Sequence, residues 1–209
     1  MKTYKLHLIR HGMTDANDQH LYIGGRTDLP LSPEGLADLI AKKKVYQYPT
    51  GARYFSAPLS RCRQTMEVLY PGCPMEIVDG LTECDFGDWD GKSLDLLKQT
   101  PAFSDWLSGK RGDIPGGEAP EKFQERIANT FEAIVLDLMK KGQTEAVICT
   151  HGGVIMLIMA MYGVSRAPMN EWATEAGFGF TLRITPELWM REPVAEALCA
   201  IPWEKNNDC

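Results

Sequence analysis

Two apolar runs in this chain each end on a histidine that is followed by glycine. Leu6–Ile9 leads into Arg10–Gly12, and Ala146–Thr150 leads into His151–Gly153. A short apolar run bounded by a turn residue is typical of a strand that is buried on both faces, as in a parallel sheet. Glycine lets the backbone turn away at the strand end, so the side chains just before it face open space. The pattern therefore predicts two buried strands that end on polar side chains.

Between these strands, capping residues and apolar spacing predict an amphipathic helix. Ser32 is an N-cap type and Pro33 suits the first helical position, so the helix begins here. Leu36, Leu39 and Ile40 follow at helical spacing. We expect these three side chains to form the stripe that packs against the rest of the fold.

Further along the chain, the pattern predicts two long helices and two more strands. Glu121–Lys141 has apolar residues every three or four positions and ends before Gly142, a typical helix-ending residue. Val154–Met161 is apolar nearly all round, which indicates a buried helix. Phe178–Ile184 and Ala197–Ile201 have the composition of strands.

A short strand, Tyr54–Ser56, precedes a helix that begins near Arg61. Strands and helices thus alternate, which predicts an α/β fold: a three-layer sandwich with a mostly parallel central sheet flanked by helices. The chain has no repeat and no low-complexity linker, so we expect residues 1–209 to form one domain. A helix start carries positive potential, so Arg61 there would add to an anion site.

The two strand–histidine–glycine junctions suggest one shared site. In an open α/β sheet the carboxyl ends of neighbouring strands meet at a crevice. Arg10 offers a forked cation that suits phosphate or carboxylate. His11 can be neutral, and so nucleophilic, near neutral pH, and a protonated His151 would be a further cationic donor. An anion is the ligand that such a crevice would bind.

Composition restricts the partners of this site. The formal net charge is −6, which argues against nucleic acid or an anionic membrane as a partner. The longest apolar run, Val154–Tyr162, is too short to span a bilayer, and no apolar leader precedes the first strand. We therefore expect a cytoplasmic protein. The six cysteines include no Cys-x-x-Cys pair, so we expect reduced thiols.

Three segments or spacings that could indicate metal or nucleotide binding lack residues that those motifs require. Gly91–Ser93 resembles the end of a phosphate-binding loop, but Phe86 stands where that loop needs its first glycine. A calcium loop around Gly91 would need ligands at Phe86 and Leu97. The chain has four histidines and no His-Glu-x-x-His spacing. We expect neither a metal nor a cofactor.

Four segments in order resemble one family. They are Arg10–Gly12, Ser56–Thr65, Leu81–Gly91 and Thr150–Gly153. The chain from about residue 4 to 153 resembles the histidine phosphatase superfamily, which includes the cofactor-dependent phosphoglycerate mutases, the fructose-2,6-bisphosphatases and the α-ribazole phosphatases. The stretch from Glu83 to Gly91 is most similar to the α-ribazole phosphatase and broad-specificity phosphatase branch. The resemblance implies the phosphoglycerate mutase-like fold.

The resemblance also implies roles for particular residues. The loop after His11 lines the phosphate pocket in the family, with Asn and Gly at the positions of Asn17 and Gly25, while Met13 stands where the family commonly has Glu or Gln. An acidic residue occupies the position of Glu83. The predicted catalytic residues are His11, Glu83 and His151, and the predicted phosphate-binding residues are Arg10, Arg61, Asn17, Gly25 and Gly152.

We interpret the chain as a metal-independent phosphomonoester hydrolase that acts on a small phosphorylated metabolite through a phosphohistidine. His11 is the nucleophile, and Glu83 protonates the leaving oxygen and later activates water. One alternative is a cofactor-dependent phosphoglycerate mutase, which shares these groups. The other is a non-catalytic phospholigand-binding module. The pattern names no substrate, and it allows a monomer or a homodimer.

Overall fold

Residues 2–107, 113–165 and 167–205 are described by a computed structural model. The strands are β1 (Tyr4–Arg10), β2 (Leu21–Tyr22), β3 (Tyr46–Gln47), β4 (Arg53–Ser56), β5 (Glu76–Ile77), β6 (Lys92–Ser93), β7 (Glu145–Thr150), β8 (Gly179–Ile184), β9 (Glu196–Ile201) and β10 (Trp203–Glu204). The helices are α1 (Asp15–Asp18), α2 (Pro33–Val45), α3 (Ser60–Leu69), α4 (Leu94–Leu97), α5 (Pro101–Leu107), α6 (Pro120–Lys141), α7 (Gly152–Tyr162) and α8 (Pro186–Arg191). Short 3₁₀ turns cover Asp79–Leu81, Gly87–Trp89 and Met169–Trp172.

Six of these strands form the central sheet, in the order β5-β4-β7-β1-β8-β9. The first four run parallel to one another, whereas β8 is antiparallel to β1 and β9 is antiparallel to β8. Helices flank the sheet, so the predicted α/β sandwich with a mostly parallel sheet is confirmed. Arg10 pairs with Thr150 at the ends of β1 and β7. The two histidine–glycine turns therefore lie side by side.

Helix α2 begins as predicted but packs through a narrower face. The Ser32 hydroxyl accepts a hydrogen bond from the Gly35 amide at 3.0 Å, as an N-cap does. Leu39 is fully buried, whereas Leu36 and Ile40 are 41% and 43% exposed. The prediction of a three-residue buried stripe was wrong. The helix touches the rest of the fold at two residues one turn apart: Gly35 packs against the Met13 backbone, and Leu39 packs against Gly12. Leu36 and Ile40 lie beside this narrow line of contact and remain exposed.

The two long helices agree with their apolar patterns. In α6 the buried residues are Phe123, Ile127, Phe131, Ile134, Val135 and Leu138. The helix ends at Gly142, which has a positive φ of 66°. No residue of α7 is exposed. Three of its half-buried residues, Gly152, Gly153 and Met156, border the cleft above the sheet.

None of the helices in the described parts of the chain combines the length and the apolar composition that a membrane-spanning segment needs. Cys62, Cys73, Cys84 and Cys149 are free, as expected for reduced thiols. Cys199 forms a disulfide, so that expectation was wrong at this position. Cys199 lies on β9, the strand at the edge of the sheet, and does not border the crevice above β1 and β7.

Candidate active site

The two predicted catalytic histidines meet at the carboxyl ends of β1 and β7. Their ring centroids are 5.2 Å apart and the ring planes meet at 65°. The His11 amide donates to the Thr150 carbonyl at 3.0 Å, which continues the pairing of the two strands past their ends. His11 is 7% exposed and His151 is 1% exposed. The sheet itself therefore brings together residues that are 140 positions apart.

A backbone carbonyl determines the tautomer of His11. Its Nδ1 lies 2.7 Å from the Gly12 carbonyl oxygen, and because a carbonyl can only accept, Nδ1 carries the hydrogen. In the neutral ring Nε2 then keeps its lone pair. Burial, followed by the nearby charges of Arg61 and Arg10, lowers the pKa of His11 well below its usual value. The ring is neutral at physiological pH and ready to act as a nucleophile.

Arg10 and Arg61 are both held by backbone carbonyls. Arg10 Nη1 donates to the Thr174 carbonyl at 2.6 Å, and its buried Nε has no partner. Arg61 Nη1 and Nη2 donate to the carbonyls of Thr27 and Gly24 at 2.9 and 3.0 Å. Among the described residues, neither guanidinium forms an ion pair with a carboxylate. Their charge is therefore free to balance that of an anionic ligand.

Glu83 lies beside these cations, 8% exposed. Its Oε1 accepts from the Cys84 amide at 3.0 Å and its Oε2 from the Gly153 amide at 2.9 Å. Those bonds and the two arginines favour the ionised form, but burial outweighs them and raises the pKa of Glu83. A carboxyl group with a raised pKa can carry a proton at the pH where a neutral His11 attacks.

His151 differs from the expectation of a protonated ring. Burial lowers its pKa well below the usual value, and the nearby groups His11, Arg61 and Arg10 lower it further. Burial, followed by the nearby charges, thus keeps His151 neutral. A bound dianion would oppose these causes, because an opposite charge nearby favours the protonated ring.

Asn17 and Gly152, like Arg10 and Arg61, border one cleft, which has a volume of about 280 Å³. Asn17 Oδ1 accepts from the amide and the hydroxyl of Thr14, at 2.9 and 3.0 Å, so its amide group is left as a donor. Gly152 begins α7 and lies against Arg10. Met13, by contrast, does not border the cleft.

Gly25 lies elsewhere, behind the Glu83 backbone. Its amide donates to the Cys84 carbonyl at 2.8 Å. A Cβ on Gly25 would lie 2.4 Å from the Glu83 carbonyl oxygen, so only glycine fits there. Gly25 faces a separate surface depression and not the cleft. Its position supports the backbone of Glu83 and does not border the cleft.

Two supporting residues had not been singled out from the sequence. Thr65 is fully buried on α3 and bonds both the Gly12 amide and the Arg61 carbonyl. Thr65 stands within the Ser56–Thr65 motif, four residues after Arg61, so helical spacing was a usable signal.

Arg126 on α6 is the second supporting residue. It donates to the carbonyls of Gly80 and Thr82 at 2.9 and 2.8 Å, and it pairs with both oxygens of Glu118. It thereby anchors the segment that leads into Glu83. No local pattern marks Arg126, because the carbonyls that it binds, those of Gly80 and Thr82, lie more than 40 residues away in the chain.

Known proteins share this sequence pattern and fold. Residues 6–178 match the family model described as the histidine phosphatase superfamily (branch 1). The adenosylcobalamin/α-ribazole phosphatase of Salmonella typhimurium is 28% identical over 161 residues, which are 75% of this chain and 78% of that protein.

Two solved structures are similar over nearly their whole length. The α-ribazole phosphatase from Shigella flexneri has a TM-score of 0.77 and is 23% identical, and the match covers 98% of this chain and 100% of that one. The phosphoglycerate mutase from Thermus thermophilus has a TM-score of 0.71 at 26% identity, with 96% and 99% of the two chains covered. The two structures share the fold of this chain, and the matched family model shows that the chain belongs to the histidine phosphatase superfamily.

Proposed function

We propose that this protein hydrolyses phosphomonoesters of a small metabolite through a covalent phosphohistidine. The observation that carries this proposal is the state of His11: Nδ1–H is held by the Gly12 carbonyl, and burial together with the charges of Arg61 and Arg10 keeps the ring neutral. Nε2 attacks phosphorus, the P–N bond forms, and the bond to the ester oxygen breaks. Water then attacks the phosphohistidine and releases inorganic phosphate.

Positive charge for this step comes from the protein. Arg10 and Arg61 can engage the phosphoryl oxygens, since the donors that their carbonyl partners leave free remain available. The dianion offsets the charges that lower the pKa of His151, so this ring takes up a proton when substrate binds. Activity that depends on these three groups needs no metal and should survive EDTA.

Glu83 supplies the proton for the leaving group. An alkoxide leaves poorly, and the raised pKa of Glu83 supports a protonated carboxyl in the resting site. After the alcohol has left, the resulting carboxylate accepts a proton from the attacking water. The amides of Cys84 and Gly153 hold both oxygens in place through the two steps.

The experiment is a brief incubation with labelled substrate, followed by an acid and a base quench. A phosphohistidine is acid-labile and base-stable, and wild type should trap it while releasing phosphate from a panel of phosphorylated metabolites. His11→Ala should do neither. His20→Ala is the matched control, because His20 is exposed on a loop outside the cleft. Turnover by His11→Ala at the wild-type rate would overturn the proposal.

A phosphoglycerate mutase is the second candidate, because a solved mutase shares this fold. It uses the same groups but returns the phosphoryl group to a sugar acid instead of to water. Interconversion of 3- and 2-phosphoglycerate, primed by bisphosphoglycerate, should be slower than hydrolysis. If interconversion is much faster, the mutase hypothesis is right. A phospholigand-binding module would form no phosphoenzyme at all.

A further inference from the structure

Arg10 is held by the turn that precedes β8, which we call the 174–178 turn. The Arg10 amide donates to the Phe178 carbonyl at 2.8 Å, and the Arg10 carbonyl accepts from the Gly177 amide at 2.9 Å. The side chain reaches the same turn, because Arg10 Nη1 donates to the Thr174 carbonyl at 2.6 Å. Three hydrogen bonds therefore make the position of this guanidinium depend on one short segment.

These bonds leave one edge of the Arg10 guanidinium for a ligand. A guanidinium can offer a pair of donors at its tip, Nη1 with Nη2, or along its side, Nε with Nη2. Thr174 engages Nη1, whereas the buried Nε has no hydrogen-bond partner among the described residues. A Cβ on Gly152 would lie 3.4 Å from Nε, so this edge lies beside the first residue of α7, which borders the cleft. Because an unpaired buried donor costs free energy, the side pair is the one that an oxyanion in the cleft would satisfy.

A second set of contacts holds the 174–178 turn against α2 and the segment that follows it. Lys42 Nζ donates to the Ala176 carbonyl at 2.9 Å, and the Tyr48 hydroxyl donates to the Gly177 carbonyl at 2.9 Å. Gly177 has a positive φ of 79°, and a Cβ there would lie only 2.9 Å from Leu39. The turn is thus packed closely against these elements as well as hydrogen-bonded to them.

Lys42 is itself fixed by its neighbours. Its Nζ also donates to Asp38, one helical turn earlier, at 2.6 Å and lies 5.0 Å from the centre of the Phe178 ring. Its side chain is only 16% exposed. A long side chain with this much burial and several partners has little rotamer freedom, so its bond to the Ala176 carbonyl is a stable part of the fold.

Building on the phosphatase function above, we propose that Lys42 and Tyr48 are positioning residues for phosphate binding. They hold the 174–178 turn, and the turn directs the Nε and Nη2 edge of Arg10 toward the phosphoryl group. Neither Lys42 nor Tyr48 borders the cleft, so their effect on a ligand passes through Arg10.

Binding of inorganic phosphate, measured by calorimetry, tests this role without requiring turnover. Lys42→Met keeps most of the alkyl chain and Tyr48→Phe keeps the ring, so each mainly removes the hydrogen bond to the turn. We expect each substitution to weaken phosphate binding about 3- to 10-fold, the size of one lost hydrogen bond. Wild-type affinity in either variant would overturn the assignment of that residue.

Two substitutions of the same kind serve as matched controls. Lys43→Met removes a lysine of the same helix that donates to the Val68 carbonyl at 2.8 Å. Tyr162→Phe removes a hydroxyl that donates to Glu132 at 2.8 Å. Neither bond involves the 174–178 turn, so both controls should bind phosphate as wild type does. Losses in the controls as large as those in Lys42→Met and Tyr48→Phe would contradict the proposal.

A double-mutant cycle separates the positioning of Arg10 from a general loosening of the fold. Arg10→Lys keeps the positive charge, so phosphate affinity remains measurable, but it removes the fork of donors. In this background Lys42→Met and Tyr48→Phe should have little further effect, because the group that they position is gone. If their losses add in full to that of Arg10→Lys, the two residues act by another route and the proposal is wrong.

NMR of the arginine Nε–H groups reports which edge of Arg10 binds the anion. The Arg10 signal, assigned by its absence in Arg10→Lys, should move downfield when phosphate is added to wild type, because Nε gains a hydrogen bond. The movement at saturating phosphate should be smaller in Lys42→Met. No movement in wild type would mean that the tip of the guanidinium binds the anion, and would overturn the proposal.

The failure of this inference can be told from failure of the proposed function. If phosphate binding responds to Lys42→Met and Tyr48→Phe as expected but substrate yields no phosphoenzyme, the positioning role stands and the proposed function is wrong. If a phosphoenzyme forms but phosphate binding is unchanged in both variants, the proposed function stands and only the positioning role is wrong.

Discussion

The hydroxyl of Thr65 accepts a hydrogen bond from the amide of Gly12 at 2.9 Å. The same hydroxyl donates to the Arg61 carbonyl at 2.6 Å, so its hydrogen and an acceptor position are both used. Gly12 in turn presents the carbonyl that holds Nδ1–H of His11. One buried side chain thus connects the start of the Arg61 helix to the turn that orients the His11 ring.

Thr65→Val should slow phosphorylation of His11. The substitution keeps the shape but leaves the Gly12 amide unpaired, so the Gly12 carbonyl is no longer held against His11. Small misplacements of reacting groups can reduce rates on the order of 100-fold, and we expect a loss of up to that size in the phosphorylation burst. Rapid-quench kinetics measures it.

Thr65→Ser is the matched control, because it keeps the hydroxyl and should retain most of the burst rate. Nitrogen NMR of labelled His11 should show a mixture of tautomers in Thr65→Val and the single Nδ1–H form in the other two proteins. A normal burst rate and a single tautomer in Thr65→Val would contradict the positioning role.

Glu83→Gln should reveal its role through the leaving group. Loss of a general acid typically costs about 10²- to 10⁴-fold, and we expect that loss for an alkyl phosphate. A nitrophenolate leaves without a proton, so the burst with p-nitrophenyl phosphate should fall far less. The comparison uses the first turnover, because Glu83 is also expected to activate water later. Equal losses on both substrates would mean that Glu83 positions other groups.

Gly153→Ala should displace the Glu83 carboxyl group. A Cβ on Gly153 would lie 2.5 Å from Glu83 Oε1, closer than nonbonded atoms approach. On Gly152 a Cβ would meet Arg10 only at 3.4 Å, an ordinary contact. Gly152→Ala should therefore lose less activity on an alkyl phosphate than Gly153→Ala. Burst rates of the two variants decide this, and the reverse order would contradict the geometry.

Stability should fall in mild acid. Burial lowers the pKa values of His7, His11 and His151. Below about pH 6.5 the unfolded chain protonates these rings while the folded protein does not. The unfolded state then binds more protons, so the free energy of unfolding is highest above that pH and decreases as pH falls.

Glu83 acts in the opposite sense, since its raised pKa adds stability below its ordinary pKa that is lost as pH rises through its folded value. Three histidines outweigh one carboxyl, and each net proton changes the unfolding free energy by about 1.4 kcal/mol per pH unit. Urea unfolding between about pH 5 and pH 7 measures the slope. His7→Gln should reduce this slope, with exposed His20→Gln as control. A flat profile in wild type would contradict the prediction.

Local features of the sequence were sufficient to predict several of the helices and strands. The strands before Arg10 and His151, the Ser32 cap and the end of α6 at Gly142 depend on neighbouring residues alone, so pattern and capping chemistry predicted them. The motif order predicted which polar side chains would share a crevice, because parallel strands end at one edge. That residues 1–209 form a single domain stays a prediction.

Tertiary packing decided the rest. Helical spacing alone predicts burial for Leu36 and Ile40 as much as for Leu39. In the fold only Leu39 packs against the Gly12 turn, so the other two side chains are exposed. Gly25 resembled a pocket residue, yet the fold uses it behind Glu83.

The protonation states of the site also depend on tertiary structure. The pKa of His151 is lowered by burial and by cations that are distant in sequence. Arg126 acquires its supporting role from partners on other elements. Patterns record which residues neighbour each other along a helix or strand, whereas burial, charge and the lining of a cleft depend on which elements meet.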